Sequence, residues 1–345
     1  MNIRELARED WALWDAYVRA SRAGLPQHLA AWQQVLQRTY GYATHYLAAW
    51  EGGRIVGVMP LFWIDSPILG RTLTTLPGGL CADDADVAGA LIAVGQELAA
   101  RRHAKRFTLH DSRHDWPGMG QTTCDHEHWL VDVSRGQEAT WSALDRNIRR
   151  QVRMAERNDL IAVVDRSGAR LDDFYGVLSK FTHQAGTPLF ARRFLAEVIA
   201  AFPDGFNIVV VYHAGQAIGG YFQLELAGTN YGVWGAALHE FLELRPVYLA
   251  YWTILADSAS RGFTTLDMGR SPSGSSASSY KGQWATSRAP VYQQSWSPGG
   301  QATFGVARQV QSDAKLQWVR RWWPKLPQGV AQVAGPLLRR HIPFA

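Results

Sequence analysis

LDMGRSPSGSSASSYKGQW, running from Leu266 to Trp284, is the stretch on which the fold turns. Leu266-Asp267-Met268 ends an apolar, strand-like run. From Gly269 to Ser279 almost every residue is Gly, Ser, Pro or Arg, so the backbone is expected to leave a sheet there as a flexible loop. The loop closes on Tyr280-Lys281-Gly282-Gln283-Trp284. Only five lysines stand against thirty arginines in this chain, so a lysine between two aromatic residues at the end of such a loop reads as placed. Its ammonium suits a phosphate or a developing oxyanion as a point charge. A surface turn with a solvated lysine is the plain alternative.

Upstream of this stretch, alternation and helical spacing give a repeating order. Asn207 to Tyr212 and Gln216 to Leu226 read as a hairpin about His213-Ala214-Gly215, Thr229 to Ala236 as a third strand, Pro246 to Arg261 as a helix and Thr264 to Met268 as a strand. A strand at Ile161 to Val164 and helices at Leu171 to His183 and Arg192 to Phe202 precede them. The first half has the same order. A strand at Ile3 to Leu6 comes first, then helices carrying Trp11, Trp14 and Val18, and Trp32, Val35 and Tyr40. A hairpin about Glu51-Gly52-Gly53, a helix over Ala85 to Arg102 and strands at Arg106 to His110 and Trp129 to Val133 complete it. The chain therefore reads as a duplicated α/β unit.

Between the halves, Arg146, Arg150, Arg153 and Arg157 fall at i, i+4, i+7 and i+11, with Arg149 beside them and Leu144, Ile148 and Val152 opposite. Such a helix suits a join between two domains that bind a polyanion across their cleft; a solvated charged face is the alternative. The net charge of +5 leans the same way. The tail from Val306 to Ala345 is basic and rich in tryptophan, with Trp318, Trp322 and Trp323. It is expected to be helical and either caps a domain or touches a membrane surface.

Cys81 and Cys124 form no CxxC pair, the N-terminus is charged from Arg4 and lacks a signal-peptide core, and no run nears the roughly 20 apolar residues of a membrane span. A cytoplasmic protein, with peripheral inner-membrane contact through the tail left open, is expected. His110, His114, Cys124, His126 and His128, with Asp111, Asp115 and Glu127, have zinc-binding types, but their spacing fits no standard site and no metal is expected. Hydrolase elbows, Walker loops and dinucleotide fingerprints are absent.

A series of stretches in order resembles the FemAB-like branch of the GNAT superfamily, especially members associated with exopolysaccharide and PEP-CTERM gene clusters. These are WQQVLQRTYG from Trp32 to Gly41, Gly57 to Leu61, Pro77 to Asp84, Arg146 to Leu160, GTPLFARRF from Gly186 to Phe194, Asp267 to Trp284, and Trp323 to Pro343. The resemblance implies an α/β (α+β) fold of two tandem GNAT-like domains, each a mixed central sheet flanked by helices, with a C-terminal helical tail. The divisions expected are 1–140, a basic connecting helix 141–158, 159–305 and the tail 306–345. It further implies transfer of an aminoacyl group from aminoacyl-tRNA, with Lys281 matching a catalytic or charge-stabilising lysine and Arg192 or Arg193 a phosphate anchor for the acceptor. Peptidoglycan-directed members carry a lysine four positions after the tryptophan of the first-domain helix, where this chain has Leu36. Losing a phosphate-binding cation there argues against a nucleotide-linked muropeptide acceptor and favours a different one, such as a glycan, lipid or amine, in envelope or exopolysaccharide synthesis; the partner class expected overall is a nucleotide- or lipid-linked envelope precursor.

The expected chemistry is acyl transfer by positioning and charge. Lys281, with loop N–H groups near Gly269-Arg270-Ser271, meets the oxyanion, and Asp267 accepts a proton, orients Arg270, or merely bonds turn amides. Arg270, Ser271, Tyr280, Trp284, Tyr251, Arg192 and Arg193 are the expected substrate contacts. No resident cofactor is expected, only a co-substrate, aminoacyl-tRNA or acyl-CoA. LHEFLELRPVY, Leu238 to Tyr248, holds no glycine where a CoA pyrophosphate loop needs one, which disfavours acetyl-CoA. An acyl-CoA-dependent N-acyltransferase and an inactive GNAT-like scaffold remain the rival classes.

Overall fold

The computed structural model describes residues 1–67, 69–299 and 314–342. The chain divides into two compact units, Met1–Asp125 with Pro290–Arg321 and Val333–Ala345, and His126–Ala289 with Trp322–Gln332.

In the first unit, β1 (Asn2–Glu5), helices α1 (Trp11–Ala20) and α2 (Trp32–Tyr40), and strands β2 (Thr44–Glu51), β3 (Arg54–Ser66) and β4 (Gly70–Thr75) follow in order. The short β5 (Cys81–Ala82), helix α3 (Ala85–Arg101) and β6 (Arg106–Ser112) come next. Gly41 ends α2 at φ 70°, a left-handed position that costs glycine no steric penalty. β1 to β4 form an antiparallel meander, β6 joins β4 in parallel, and β13 (Ser287–Trp296) pairs antiparallel with β6. β3 is buried along nearly its whole length, as its run of Ile55, Val56, Val58, Met59, Leu61 and Phe62 requires of a central strand. Leu91 and Ile92 of α3 pack there with Met59, Leu73 and Phe107.

The second unit repeats the order. β7 (Gln121–Asp132) carries the chain into it, and α4 (Gln137–Ala143), α5 (Arg146–Arg157), β8 (Ile161–Asp165), α6 (Leu171–Gln184) and α7 (Arg192–Ala201) follow. Then come β9 (Phe206–His213), β10 (Gln216–Leu226), β11 (Thr229–Ala237), α8 (Pro246–Ser260), β12 (Thr265–Pro272) and α9 (Ser276–Gly282). β8 to β11 form an antiparallel meander, β12 joins β11 in parallel, and β7 pairs antiparallel with β12. The two sets of strands thus share one topology, as the duplicated sequence order implies. In each, the final antiparallel strand comes from the other half of the chain, β13 for the first and β7 for the second. α8 buries Leu249, Ile254 and Leu255 against Val209, Val211 and Leu266 on one face, with α5 packed beside it. Each such side chain is worth about 1.5–3 kcal/mol on removal from water. Phe174 and Phe194 with Phe222 and Trp234 fill the other face.

The serine-rich loop and the connecting helix with its divisions differ from the structure, whereas the helical tail is as expected. The serine-rich segment is not a flexible loop, because β12 runs on through Pro272 and Ser276–Gly282 is a helix. Helix α5 packs within the second unit, on α8, and the compact units change at Asp125/His126 and Ala289/Pro290 where the sequence suggested 140, 158 and 305. The tail forms α10 (Ala314–Trp322) and α11 (Gln328–Arg339), with Trp323 buried and Trp318 and Trp322 exposed; its residues 306–313 and 343–345 lie outside the described residues. Among the described residues, no helix is long and apolar enough to cross a membrane.

Candidate active site

The parallel ladder of β11 and β12 is short. It pairs Thr229 with Thr265, Asn230 with Leu266 and Tyr231 with Asp267, then stops, although both strands run on. At its end the backbones nearly touch: Gly269 sits at φ 77°, and a Cβ there would stand 2.6 Å from the Gly232 carbonyl oxygen, so only glycine fits. Beyond this point a cavity of about 380 Å³ opens between Gly232–Gly235 and Met268–Pro272, closed by Tyr221, Gln223, Tyr251 and Lys281. Backbone groups along two strands that no longer bond each other are natural partners for an extended ligand. A second cavity of about 430 Å³, reaching Leu242 and Arg245, shares Tyr221, Tyr251, Ala277 and Lys281 with the first.

Lys281 therefore stands on the wall common to both cavities. Its helix is only seven residues long, too short to hold itself, and is pinned from outside. The Ser275 side chain caps it, accepting from the Ser278 N–H at 3.1 Å, and the Ser278 hydroxyl donates to Glu127 of β7. Tyr280 and the buried Trp284 pack into an aromatic cluster with Tyr248 and Tyr251, at ring separations of 5.2–6.3 Å. The Lys281 ammonium donates to the carbonyls of Gly269 and Arg270, each at 3.1 Å, which leaves one of its three N–H groups for a ligand. Burial pushes its pKa down to about 8, opposed by the Asp267 carboxylate and assisted by the Arg270 guanidinium. Burial likewise holds the phenols of Tyr251 and Tyr280 well above their ordinary range, so both stay neutral.

Asp267 is buried, and one carboxylate oxygen accepts from the Gly269 N–H at 2.8 Å and meets His128 Nδ1 at 3.0 Å. The turn-amide bond considered from sequence is present, and a histidine is added to it. The Gly269 N–H is consequently taken and does not face an oxyanion, which corrects one of the expected loop donors. His128 lies opposite Arg270 on β7. The sequence reading has this strand only from Trp129 and weighs His128 only as a zinc-type residue, because the preceding residues from Gln121 are polar. Gln223 was also missed. It is fully buried on the cavity wall, and neither its amide nitrogen nor its oxygen has a partner. Strand register shifts beside it, between Phe222 and Gln223.

The structure brings Lys281, Asp267, Arg270, Ser271 and Tyr251 to the first cavity and Tyr280 to the second, with Trp284 packed behind them. It does not bring Arg192 or Arg193 to either. These start α7, where Arg192 pairs with Asp172 and Arg193 with Glu197 at 3.5 Å. Arg192 finds its acid on α6 and Arg193 one turn along its own helix, so a substrate-anchoring role at this site is not supported by their position. Leu36 is fully buried in α2, a core position. Among the described residues, no three His, Cys, Asp or Glu side chains are grouped to hold a metal.

The first unit lacks this opening at the corresponding register. β4 and β6 pair Thr72 with Arg106, Leu73 with Phe107 and Thr74 with Thr108. The Gly78 N–H then donates to the His110 carbonyl at 2.8 Å and the His110 N–H to the Thr75 hydroxyl at 2.9 Å, so the pairing is carried on. Thr108 stands where Asp267 does, its hydroxyl 2.7 Å from that of Thr74.

Residues 142–282, the segment that carries the parting strands, Asp267 and Lys281, match the acetyltransferase (GNAT) domain family. Across 86% of this chain and 98% of the other, the fold matches a crystal structure of FemX at a TM-score of 0.67 and 14% identity. It also matches the C-terminal domain of a putative lysylphosphatidylglycerol synthetase from Agrobacterium fabrum, at a TM-score of 0.58 and 12% identity over 84% of this chain and 92% of that one. A tandem GNAT protein from the clavulanic acid biosynthesis pathway matches at 0.54 and 12% identity, over 88% and 99%. No curated protein sequence matches. The tandem GNAT-like architecture expected from sequence, with C-terminal helices, is the one observed.

Proposed function

We propose that the second unit moves an aminoacyl group from an aminoacyl-tRNA ester to an amine or hydroxyl of a cell-envelope or exopolysaccharide precursor. The observation that carries this reading is the position of Lys281, with one N–H unspent, on the wall shared by two cavities, so that donor and acceptor can meet on either side of one ammonium. The acceptor nitrogen or oxygen attacks the ester carbonyl carbon, and the charge gathering on the carbonyl oxygen is met by Lys281. The attacking group's proton passes to the Asp267–His128 pair, the carbon–oxygen bond to the ribose breaks, and the ribose oxygen takes up a proton. Gln223 favours an aminoacyl over an acetyl group, because an unpartnered amide asks for a ligand offering both a donor and an acceptor. A fold shared with a lysylphosphatidylglycerol synthetase, whose name gives an aminoacyl lipid as its product, agrees with an envelope acceptor.

The family name keeps acyl-CoA as the second reading of the donor. Against it, Arg245 takes the left-handed φ of 69° at the start of α8 where a glycine would leave room for a pyrophosphate. Incubating the protein separately with mixed aminoacyl-tRNA and with acetyl-CoA, each with envelope-precursor extract, tests the choice. Loss of the tRNA ester that depends on Lys281 is expected; acyl transfer from CoA alone would overturn it.

A further inference from the structure

We propose that the exposed face of α5 is a docking track for the phosphodiester backbone of RNA, leading to the second cavity and Lys281. As to what the RNA delivers, it rests on the aminoacyl-tRNA reading above; as to binding, it rests on charge and geometry alone.

Arg146, Arg149, Arg150, Arg153 and Arg157 share one side of the helix, four of them exposed and Arg149 half-buried, while Ile148, Val152 and Ala155 are buried opposite. Among the described residues none of the five has a carboxylate partner. Arg150 bonds only the amide of Asn147, at 2.9 Å, and Arg153 lies over the Trp141 ring at 5.6 Å. Five other arginines at the surface of the same unit are neutralised: Arg166 by Asp257, Arg170 by Asp173, Arg192 by Asp172, Arg193 by Glu197 and Arg261 by Glu225. Five like charges within one helical face repel one another, so the helix carries a cost that a polyanion removes. All five are arginines, whose planar fork grips phosphate oxygens in pairs.

The track has a direction. At the C-terminal end of α5, the Asn158 side chain donates to the Leu244 carbonyl at 3.3 Å. The residues flanking Leu244 in this turn, Leu242 and Arg245, line the cavity that reaches Lys281. A strand held along α5, a helix about 18 Å long, therefore finishes at the mouth of the site, and a cavity of about 430 Å³ admits a single-stranded end but no duplex. RNA is favoured over an anionic membrane because a helix lying on lipid must present apolar residues to it. Those of α5 are committed to the core.

Fluorescence anisotropy of the full chain with labelled, unacylated tRNA tests the proposal. The triple variant Arg146→Gln, Arg150→Gln, Arg157→Gln spares the Trp141 stack and, with less repulsion along the helix, is expected to unfold no lower than wild type. It should weaken binding at least ten-fold and flatten the slope of log affinity against log salt by about two to three. The corresponding triple lysine variant, which keeps the charge, should recover most of the affinity. Wild-type affinity and salt slope in the glutamine triple would overturn the proposal, as would loss of sedimentation with phosphatidylglycerol vesicles while tRNA binding is retained. Failure is separable from that of the donor reading: tRNA binding through α5 with transfer only from acyl-CoA leaves the surface standing. Aminoacyl transfer unaffected in the glutamine triple removes the surface alone.

Discussion

Lys281 is a buried amine whose proton has been made easier to lose, and both its chemistry and its stability cost follow. If the ammonium meets the oxyanion, kcat holds below about pH 8 and falls as pH rises through the pKa; a neutral amine acting as a base would give the opposite limb. Lys281→Met should lower kcat by roughly 10²–10³. For stability, below about pH 8 the amine is charged in folded and unfolded chains alike, and the folded state carries the cost of its burial. Between about 8 and the ordinary 10.5 only the unfolded chain keeps the proton, so wild-type stability rises with pH through that window. Urea unfolding on either side of it should show the difference between wild type and Lys281→Met shift by roughly 3 kcal/mol. Gln223 obeys the same logic without titration. Gln223→Met removes two unpaired buried polar atoms, and should raise stability by about 1–2 kcal/mol in denaturant titration while reducing transfer.

The elements around the site were legible to different degrees, and the reason is where their order comes from. Helix α2 with its Gly41 stop, α3, α6, α8 and the β9–β10 hairpin carry their periodicity in their own residues, and the structure finds them within a few positions of the sequence reading. β12 beyond Gly269 and α9 do not. Ser-Gly-Ser composition reads as loop, and what makes Ser276–Gly282 helical is the Ser275 cap, Glu127 on another strand and the burial of Trp284. Tertiary partners outweighed local propensity there. The lysine was visible in the sequence as a rare residue between aromatics. Its histidine–aspartate neighbour was not, because His128 belongs to a strand distant in sequence and polar in composition. A cap on so short a helix should matter at a distance: Ser275→Ala is expected to cost about 1 kcal/mol of stability and to lower kcat with little change in KM, since Lys281 loses its fixed position. Equal losses in Ser275→Ala and in an exposed-serine control such as Ser273→Ala would argue against that coupling.

Duplication gave two sets of strands of one topology, and among the described residues it is the second that parts at this register. In the second unit the parallel pair ends at Tyr231 and Asp267 and leaves a cavity; in the first, Gly78 and Thr75 continue the bonding past Thr108, and no carboxylate stands in that register. The first unit keeps the same frame closed at this register. The exchanged last strands make the two units unequal as fragments. Residues 126–289 contain β7 from His126 onward together with β8 to β12, whereas residues 1–125 lack Pro290–Trp296, the strand that pairs with β6. An unpaired, buried-type edge invites aggregation. Expressed alone, 126–289 should unfold cooperatively and retain a low-pKa lysine by NMR titration. The 1–125 fragment should aggregate unless residues 290–345 are supplied with it, because β6 has buried residues along its whole length and only β13 covers its free side. A soluble, cooperatively folding 1–125 fragment would mean that β6 can close its own edge and that the exchange of strands is dispensable to the first unit.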